Sequence, residues 1–203
     1  MSPLPSRFGT LSLADLFPLR DGLTWRYETN LGETVSWMTV TGGGCLVVSE
    51  SPHLTVRQFL RVTDEAVLLL EGESETLVTR DRRIYRPPML RLPLRVRVGQ
   101  CWSWEGEEIL KDGEVMRSRV EGMIEGEETV RVPAGEFSCL RVKMTTNSSD
   151  GTESSSTQWL APGVGVVKGA VEIKPGGFTG FIIRLLGMDR FTLELKEMSS
   201  KAP

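Results

Sequence analysis

Hydrophobic and polar residues alternate along much of the chain with a period of two, which is the period of a strand with one buried face. In the segment TVRQFLRV (55–62), Val56 and Leu60 share one face, while Arg57 lies on the other. The segment RFTLELKEM (190–198) repeats the pattern near the carboxyl terminus. These segments predict β-strands, and the alternation assigns one face of each strand to the core.

Turn-forming residues separate the alternating segments. Glycines 42–44 join two extended runs, and the dipeptides Asp-Gly at 112–113 and 150–151 each mark the turn of a hairpin. About a dozen short strands are predicted in this way, including ETLVTR (75–80). One short helix is predicted at the start, where Ser12 can cap the run LADLF and Pro18 ends it.

The lack of longer helical patterns determines the expected type of sheet. Parallel strands need crossover connections, usually helices, and the sequence offers none. The strands are therefore expected to be antiparallel, and about a dozen of them must curl or split into two packed layers. We expect one mainly β domain over residues 1–203.

Two segments of the chain are nearly the same. FPLRDGLTWRYETN (17–30) and LPLRVRVGQCWSWEG (92–106) share Pro-Leu-Arg, a glycine and two aromatic residues on one strand face. The matching positions lie 77 residues apart: Gly22 and Gly99, Trp25 and Trp102, Tyr27 and Trp104. We interpret the two copies as the openings of two related β halves, about 11–87 and 88–198, whose aromatic pairs enter one shared core.

Charge and cysteine content exclude several classes of protein. The net charge of −3 argues against nucleic acid as a partner, because phosphate binding usually needs a basic domain. Cys45, Cys101 and Cys139 show neither CxxC nor metal-ligand spacing. We therefore expect no disulfide framework, no metal site and no cofactor, and we interpret the three cysteines as small buried apolar residues.

The expected location follows from the apolar runs. No run of about 18 apolar residues is present, so no transmembrane segment is expected. The first residues lack the charged start and apolar run of a secretory signal. The protein is expected to be soluble and cytoplasmic, with the cell envelope as the alternative if a leader has been removed.

Candidate catalytic groups are few. His53 is the only histidine and its surroundings, SPHL, indicate a loop, so a Ser-His-Asp triad is not expected. Acidic residues cluster at 105–108 and 125–128, and paired carboxylates suit glycoside chemistry or calcium binding. Because each cluster contains a glycine, we interpret both as hairpin ends that face water. No catalytic residue is predicted, and the protein is expected not to be an enzyme.

Arginine is unevenly distributed, since seven of the 18 arginines lie between residues 80 and 97. Alternation in RLPLRVRV (91–98) places Arg91, Arg95 and Arg97 on one strand face and the apolar residues on the other. Such a stripe suits lipid head groups or an acidic protein partner. The interpretation that we prefer is structural: an edge strand protected by charge, or one paired with glutamates across the sheet.

Three stretches together resemble a loose group of bacterial β-rich proteins of uncharacterised function. They are FPLRDGLTWRYETN (17–30), VPAGEFSCLRVK (132–143) and QWLAPGVGVVKG (158–169). Many members of that group look like envelope proteins or lipoproteins. The resemblance implies a long antiparallel sheet curled into an incomplete barrel, similar to the lipoprotein-carrier fold, but it implies no active site.

The functional hypothesis combines the curved sheet with this resemblance. A concave sheet can bind a lipid or another apolar small molecule, with Arg83, Arg95 or Arg97 near its mouth. The expected lining consists of large side chains: Trp25, Trp37, Trp102 and Met144. The alternative is a protein-interaction or assembly module with a filled core, and an enzyme has the least support.

Overall fold

The structure is a computed structural model that describes residues 11–93, 95–174 and 189–200. The expectation about a leader depends partly on the first ten residues, and these lie outside the described residues. So does Leu94 of the arginine-rich segment, and the side chain of Arg95 is also not described.

The described chain contains fourteen strands and one helix. In order they are β1 (Leu11–Ser12), α1 (Leu13–Leu16), β2 (Thr24–Thr29), β3 (Gly32–Thr41), β4 (Gly44–Glu50), β5 (Thr55–Val62), β6 (Ala66–Glu75), β7 (Arg80–Pro93), β8 (Arg95–Val96), β9 (Cys101–Leu110), β10 (Val115–Val132), β11 (Gly135–Ser148), β12 (Glu153–Ala161), β13 (Gly165–Lys174) and β14 (Arg190–Ser199).

Twelve of these strands form one closed antiparallel barrel. Each strand pairs with its neighbour in the chain, β9 follows β7 in the barrel, and β14 pairs with β2 to complete the ring. The remaining strands, β1 and β8, form a separate two-stranded ladder. The predicted mainly β, antiparallel fold with one short helix is confirmed. The sheet is a closed barrel rather than an incomplete one, because its first and last strands find each other.

Most predicted turns lie where their residues indicate. The Asp112-Gly113 turn joins β9 to β10, with the Leu110 amide donating to the Glu114 carbonyl at 2.8 Å. One predicted strand is wrong: ETLVTR forms a turn after β6, closed by a 2.8 Å hydrogen bond from the Thr76 amide to the Thr79 carbonyl. Hydroxyl groups at both ends of this turn also bond to each other, which stabilises the turn against extension.

The two similar sequence segments adopt the same local structure. Gly22 and Gly99 have φ angles of 71° and 84°, in the left-handed region that favours glycine. The Gly22 amide donates to the Met38 carbonyl at 3.0 Å, and the Gly99 amide donates to the Ile124 carbonyl at 2.8 Å. In both copies, the next amide donates to the carbonyl two residues before the glycine. The repeat therefore has a common backbone structure, and not only a common composition.

The barrel divides into two runs of six strands, β2–β7 and β9–β14. Each run begins with one copy of the glycine turn and its aromatic pair. The predicted boundary near residue 88 falls inside β7, a few residues before the end of the first run. That the halves are related by duplication stays a prediction.

The repeated aromatic pairs enter the core unequally. Trp25, Tyr27 and Trp104 are buried, and the Trp104 indole donates to the Pro87 carbonyl at 3.1 Å. Trp102 is only partly buried, and its ring covers Gly122 on the neighbouring strand so closely that an added Cβ would lie about 2.1 Å from it. Glycine at that position is therefore needed for the ring to lie flat against β10.

The cysteines differ from their predicted burial at one position. Cys45 and Cys139 are buried, whereas Cys101 is exposed at the start of β9. All three are free thiols, and no group of potential metal ligands occurs within the described residues. Across the same described ranges, no helix has the length and apolar character needed to span a membrane.

Candidate ligand-binding lumen

The interior of the barrel contains an apolar cavity of about 210 Å³, which we call the apolar chamber. Inward-facing side chains from opposite sides of the wall line it, among them Trp25, Met38, Leu60, Val67, Val142 and Leu160. These residues occupy alternate positions on their strands, as the period-two pattern predicts. Space of this kind is expected inside a twelve-stranded barrel, since about eight strands can already enclose a small ligand.

Helix α1 and the residues after it cover one end of the apolar chamber. Leu16 is completely buried, and Phe17 and Pro18 line the chamber directly. The Gly163 amide donates to the Asp15 carbonyl, which fixes the helix against the turn between β12 and β13. The amino-terminal segment therefore forms a floor for the chamber.

A second interior cavity, of about 390 Å³, lies beyond the apolar one, and we call it the polar chamber. Its lining is mostly polar and includes Ser74, Asp81, Arg83, Tyr85, Glu108 and Thr146. Several of these residues lie next to the turns at 76–79 and 149–152. The polar chamber therefore marks the end of the barrel opposite the helical floor.

An ion-pair network occupies one wall of the polar chamber. Arg83 donates to Asp81 at 2.8 Å and to Glu108 at 2.9 Å, and Glu108 is only 3% exposed. Burial alone would lower the pKa of Arg83, but the hydrogen bonds and charges of the two carboxylates outweigh it and raise that pKa. Burial, and then the charge of Glu108, raises the pKa of Tyr85 to about 12. The guanidinium of Arg83 is therefore already paired with two carboxylates of the same chain.

Gln58 and Arg91 line both chambers and mark their junction. Gln58 faces inward from β5 by simple alternation with Leu60. Arg91 reaches the lumen by a different route. In the pairing of β6 with β7, Val67 is opposite Leu92 and Leu68 is opposite Leu90, which leaves Arg91 as an extra residue in a β-bulge.

The bulge overturns the predicted arginine stripe. Alternation places Arg91 and Leu92 on opposite faces, but both line the apolar chamber because the extra residue shifts the phase of the strand. Arg97 is exposed beyond the end of β8, and the backbone of Arg95 pairs with Ser12. Arg91 therefore lies in the lumen while Arg97 is exposed, so these two side chains do not form the stripe that alternation predicts.

The other arginines of β7 are paired across the sheet. Arg80 contacts Glu73 at 2.8 Å, and Arg82 contacts Glu71 at 2.6 Å, both on β6. This is the cross-sheet pairing that was one of the two structural interpretations of the arginine-rich segment. The other, an edge strand protected by charge, does not hold for β7, which lies inside a closed barrel, but it stays a prediction for β8, which pairs with β1 alone.

The predicted ligand-binding residues are only partly brought together. Trp25 and Met144 line the apolar chamber, and Arg83 lines the polar chamber. Trp37 lies on the outer face of β3, because its neighbours Ser36 and Met38 face inward. Trp102 borders a separate surface cavity with Cys101 and Arg119. Neither of these two tryptophans lines the chambers.

The acidic clusters and the histidine also have defined positions. Both clusters lie within strands and not at hairpin ends, and Glu108 turns inward instead of facing water. Glu125 and Glu128 both contact Arg141 on the neighbouring strand, at 2.8 and 3.4 Å. His53 is exposed in the turn between β4 and β5, as predicted. No local sequence pattern predicts the inward orientation of Glu108, since its partner Arg83 is 25 residues away in the chain.

The described residues thus define a mainly β protein with a closed antiparallel barrel and a two-part lumen. A family model described as DUF3108-like matches residues 111–171, which is less than a third of the chain. This segment begins before β10, covers all of β10, β11 and β12, and ends within β13. Comparison with curated proteins found no match.

Two solved structures are similar over most of this chain. One is a "putative lipoprotein" from Parabacteroides distasonis, 12% identical, with a TM-score of 0.46. The other is a "putative exported protein with YmcC-like fold" from Bacteroides fragilis, 11% identical, with a TM-score of 0.37. Each alignment covers 91% of this chain and 98% of the other. Structural similarity with such low identities and TM-scores supports no conclusion about function. The cytoplasmic location, the alternative location in the cell envelope and the similarity to lipoprotein carriers therefore all stay predictions.

Proposed function

We propose that this protein is a non-catalytic binding protein that holds a hydrophobic or lipid-like ligand inside its barrel. The observation that carries the proposal is the apolar chamber, a space of about 210 Å³ enclosed by aliphatic and aromatic side chains at the centre of the fold. Burial of apolar ligand surface in such a space is favourable by about 25 cal/mol per Å². The adjoining chamber would give the ligand a second region, in which most of the lining residues are polar.

The sequence of environments along the lumen supports an amphipathic ligand. From the helical floor upward, the walls change from apolar side chains to Ser74, Tyr85 and Thr146. The polar chamber, at about 390 Å³, falls within the usual range of roughly 300–1,000 Å³ for small-molecule sites. A molecule with an apolar tail and a polar head would match both chambers at once.

The geometry gives less support to catalysis. The three carboxylates of the polar chamber are all paired with arginines, Asp81 and Glu108 with Arg83, and Glu73 with Arg57 and Arg80. The only histidine, His53, is exposed in an outer turn. A hydrolytic site would need a nucleophile and a base within hydrogen-bond reach of each other. The Thr152 hydroxyl at the edge of the polar chamber donates to Asp150, but that bond belongs to an exposed turn.

The alternative, an interaction module with a filled core and an acidic partner, is also less supported. The described interior contains two cavities, and Arg80, Arg82 and Arg83 are engaged by carboxylates of the same chain. A partner would have to displace these contacts. Among the described side chains of the arginine-rich segment, exposed Arg86 and Arg97 remain candidates for such a surface.

The proposal is tested by titrating the purified protein with an apolar fluorescent probe, N-phenyl-1-naphthylamine. Enhanced probe emission with saturable binding is expected, together with a change in tryptophan emission, because Trp25 lines the apolar chamber. Native mass spectrometry of the same sample shows whether a lipid-like molecule co-purifies. A folded sample that neither enhances the probe nor carries a ligand would contradict the proposal.

A matched pair of variants locates the bound probe. Val47 faces the apolar chamber, whereas Val115 lies on the outer face of β10, next to buried Met116, and is 52% exposed. Val47→Phe fills part of the chamber and is expected to weaken probe binding by about tenfold, a loss of about 1.4 kcal/mol. Val115→Phe makes the same chemical change and is expected to leave binding unchanged.

A further inference from the structure

We infer that Arg91 recognises the acidic head group of the ligand, so that the barrel binds a single-chain amphiphile with a terminal anionic group. This inference rests on the proposed function and adds the chemical class of the ligand to it. Its basis is the position of Arg91 at the junction of the two chambers, where a ligand would pass from apolar to polar surroundings.

The position of Arg91 is built into the backbone. As the extra residue of the β-bulge, it is aimed into the lumen beside Leu92, where regular alternation would have directed one of the two outward. Bulges of this kind commonly re-aim a functional side chain. A long cationic side chain therefore lines the lumen at the level where its walls change from mostly apolar to mostly polar residues.

Arg91 lacks a partner among the residues that the structure describes. These residues include all 27 aspartates and glutamates of the chain, and none forms an ion pair with Arg91. No hydrogen bond from its guanidinium to a described residue is found either. Arg83, eight residues before Arg91 in β7, is by contrast held by Asp81 and Glu108. Of these two inward arginines of β7, Arg83 is paired with carboxylates and Arg91 has no ion-pair partner among the described residues.

An unpaired cation in this position is unfavourable without a ligand. Burial lowers the pKa of Arg91, although nearby Tyr85 acts in the opposite direction. Burying a charge is costly unless it is paired and hydrogen-bonded. A bound anion would supply the missing charge and accept hydrogen bonds from the guanidinium, so ligand binding would remove the cost.

The geometry of the guanidinium selects the kind of anion. Its planar donor fork matches the two oxygens of a carboxylate or of a phosphate ester. Gln58, which lines the same junction, adds an amide group that can donate a further hydrogen bond. The tail of the ligand would lie below the junction, against Met38, Leu60 and Val142 in the apolar chamber.

The test compares four ligands of the same chain length by isothermal titration calorimetry at neutral pH, below their aggregation concentrations. These are decanoate, decyl phosphate, decanol and decylamine. We expect each anion to bind about tenfold or more tightly than decanol, and decylamine to bind least well. Whichever anion binds more tightly identifies the head group as a carboxylate or a phosphate ester. Equal binding of decanol and both anions would overturn the inference.

Arg91→Gln provides the decisive variant, and exposed Arg97→Gln is the matched control for loss of one positive charge. Arg91→Gln is expected to reduce anion affinity to the level of decanol, while decanol and N-phenyl-1-naphthylamine bind as before. Arg97→Gln should change neither. Arg91→Lys keeps the charge without the fork and should retain part of the anion preference, and circular dichroism confirms that each variant is folded.

The outcomes separate this inference from the proposed function. If the neutral probe binds but anions have no advantage, or the advantage survives in Arg91→Gln, the inference about Arg91 fails and the apolar binding function stands. If neither the probe nor any decyl compound binds to folded protein, the proposed function fails, and the inference fails with it.

Discussion

The indole Nε1 of Trp25 donates a 2.7 Å hydrogen bond to the backbone carbonyl of Val164, 139 residues further along the chain. Two residues later, the Tyr27 hydroxyl donates to the Val166 carbonyl at 3.0 Å. Strand β14 lies between β2 and β13 in the barrel, so both side chains reach across it. The first aromatic pair therefore binds the glycine-containing turn that closes the floor of the apolar chamber.

We expect Trp25→Phe to lower the free energy of unfolding by about 1–3 kcal/mol, because it removes this hydrogen bond and part of a buried ring. Urea denaturation measures the change. Trp159→Phe is the control, since the Trp159 indole bonds to Glu128 on the exposed surface. Its cost should stay below about 1 kcal/mol. Equal costs for the two variants would argue against a special role for the Trp25 contact.

The shared geometry of the repeated turns predicts similar effects of substitution. Gly22→Ala and Gly99→Ala each force a side chain into the left-handed region, at a cost of about 1–2 kcal/mol. Gly42→Ala is the control, because Gly42 does not have a positive φ and has open space around its Cα. Thermal melting compares the three variants. A large loss at one repeated glycine and none at the other would show that the turns are not equivalent.

Thiol reactivity should distinguish one cysteine from the other two. Burial raises the pKa of Cys45 to about 11, and burial followed by the charge of Glu128 raises the pKa of Cys139 to about 11. Cys101 is exposed. Because the thiolate is the reactive form, Ellman's reagent at pH 8 should label one thiol in the native protein and three after denaturation. The variant Cys101→Ser should abolish the native reaction, and rapid labelling of it would contradict the structure.

Tyrosine ionisation should be coupled to alkaline unfolding. The chain has two tyrosines, and burial raises the pKa of both, that of Tyr85 to about 12. Since these pKa values are above the unfolded value of about 10, the stabilisation is complete below pH 10 and is lost as pH rises through 12. Absorbance at 295 nm should therefore show little tyrosinate at pH 10.5 while circular dichroism still reports a folded barrel. A normal titration near pH 10 in folded protein would contradict this prediction.

The sequence predicts the strands well because their determinants are local. Alternation in β5 and the Asp-Gly turn between β9 and β10 depend on neighbouring residues alone. Closure of the barrel does not, since it requires β14 to pair with β2 across almost the whole chain length. A period-two pattern can show that a sheet must bend, but it does not specify which strands meet.

The site was harder to predict than the fold, for the same reason. Trp25 and Met144 line the apolar chamber, as the alternation of inward and outward positions on their strands indicates, and their role in binding stays a prediction. The orientation of Arg91 depends on a bulge whose position is set by pairing with β6, so alternation assigns it to the wrong face relative to Leu92. For Trp37 the size of the side chain predicts the interior, but its position in β3, between inward-facing Ser36 and Met38, directs it outward.

The join between the two six-stranded runs has a consequence for motion. Strands β7 and β9 pair only where Arg83–Arg86 meets Glu107–Leu110, whereas β10 and β11 pair along almost their full lengths. Among the described strands of the barrel this ladder has the fewest paired positions, so amide hydrogens there should exchange with solvent sooner than those of β10. Opening of the wall at this ladder would create a lateral passage beside the ion pair of Arg83 with Glu108, while the other strands stay paired.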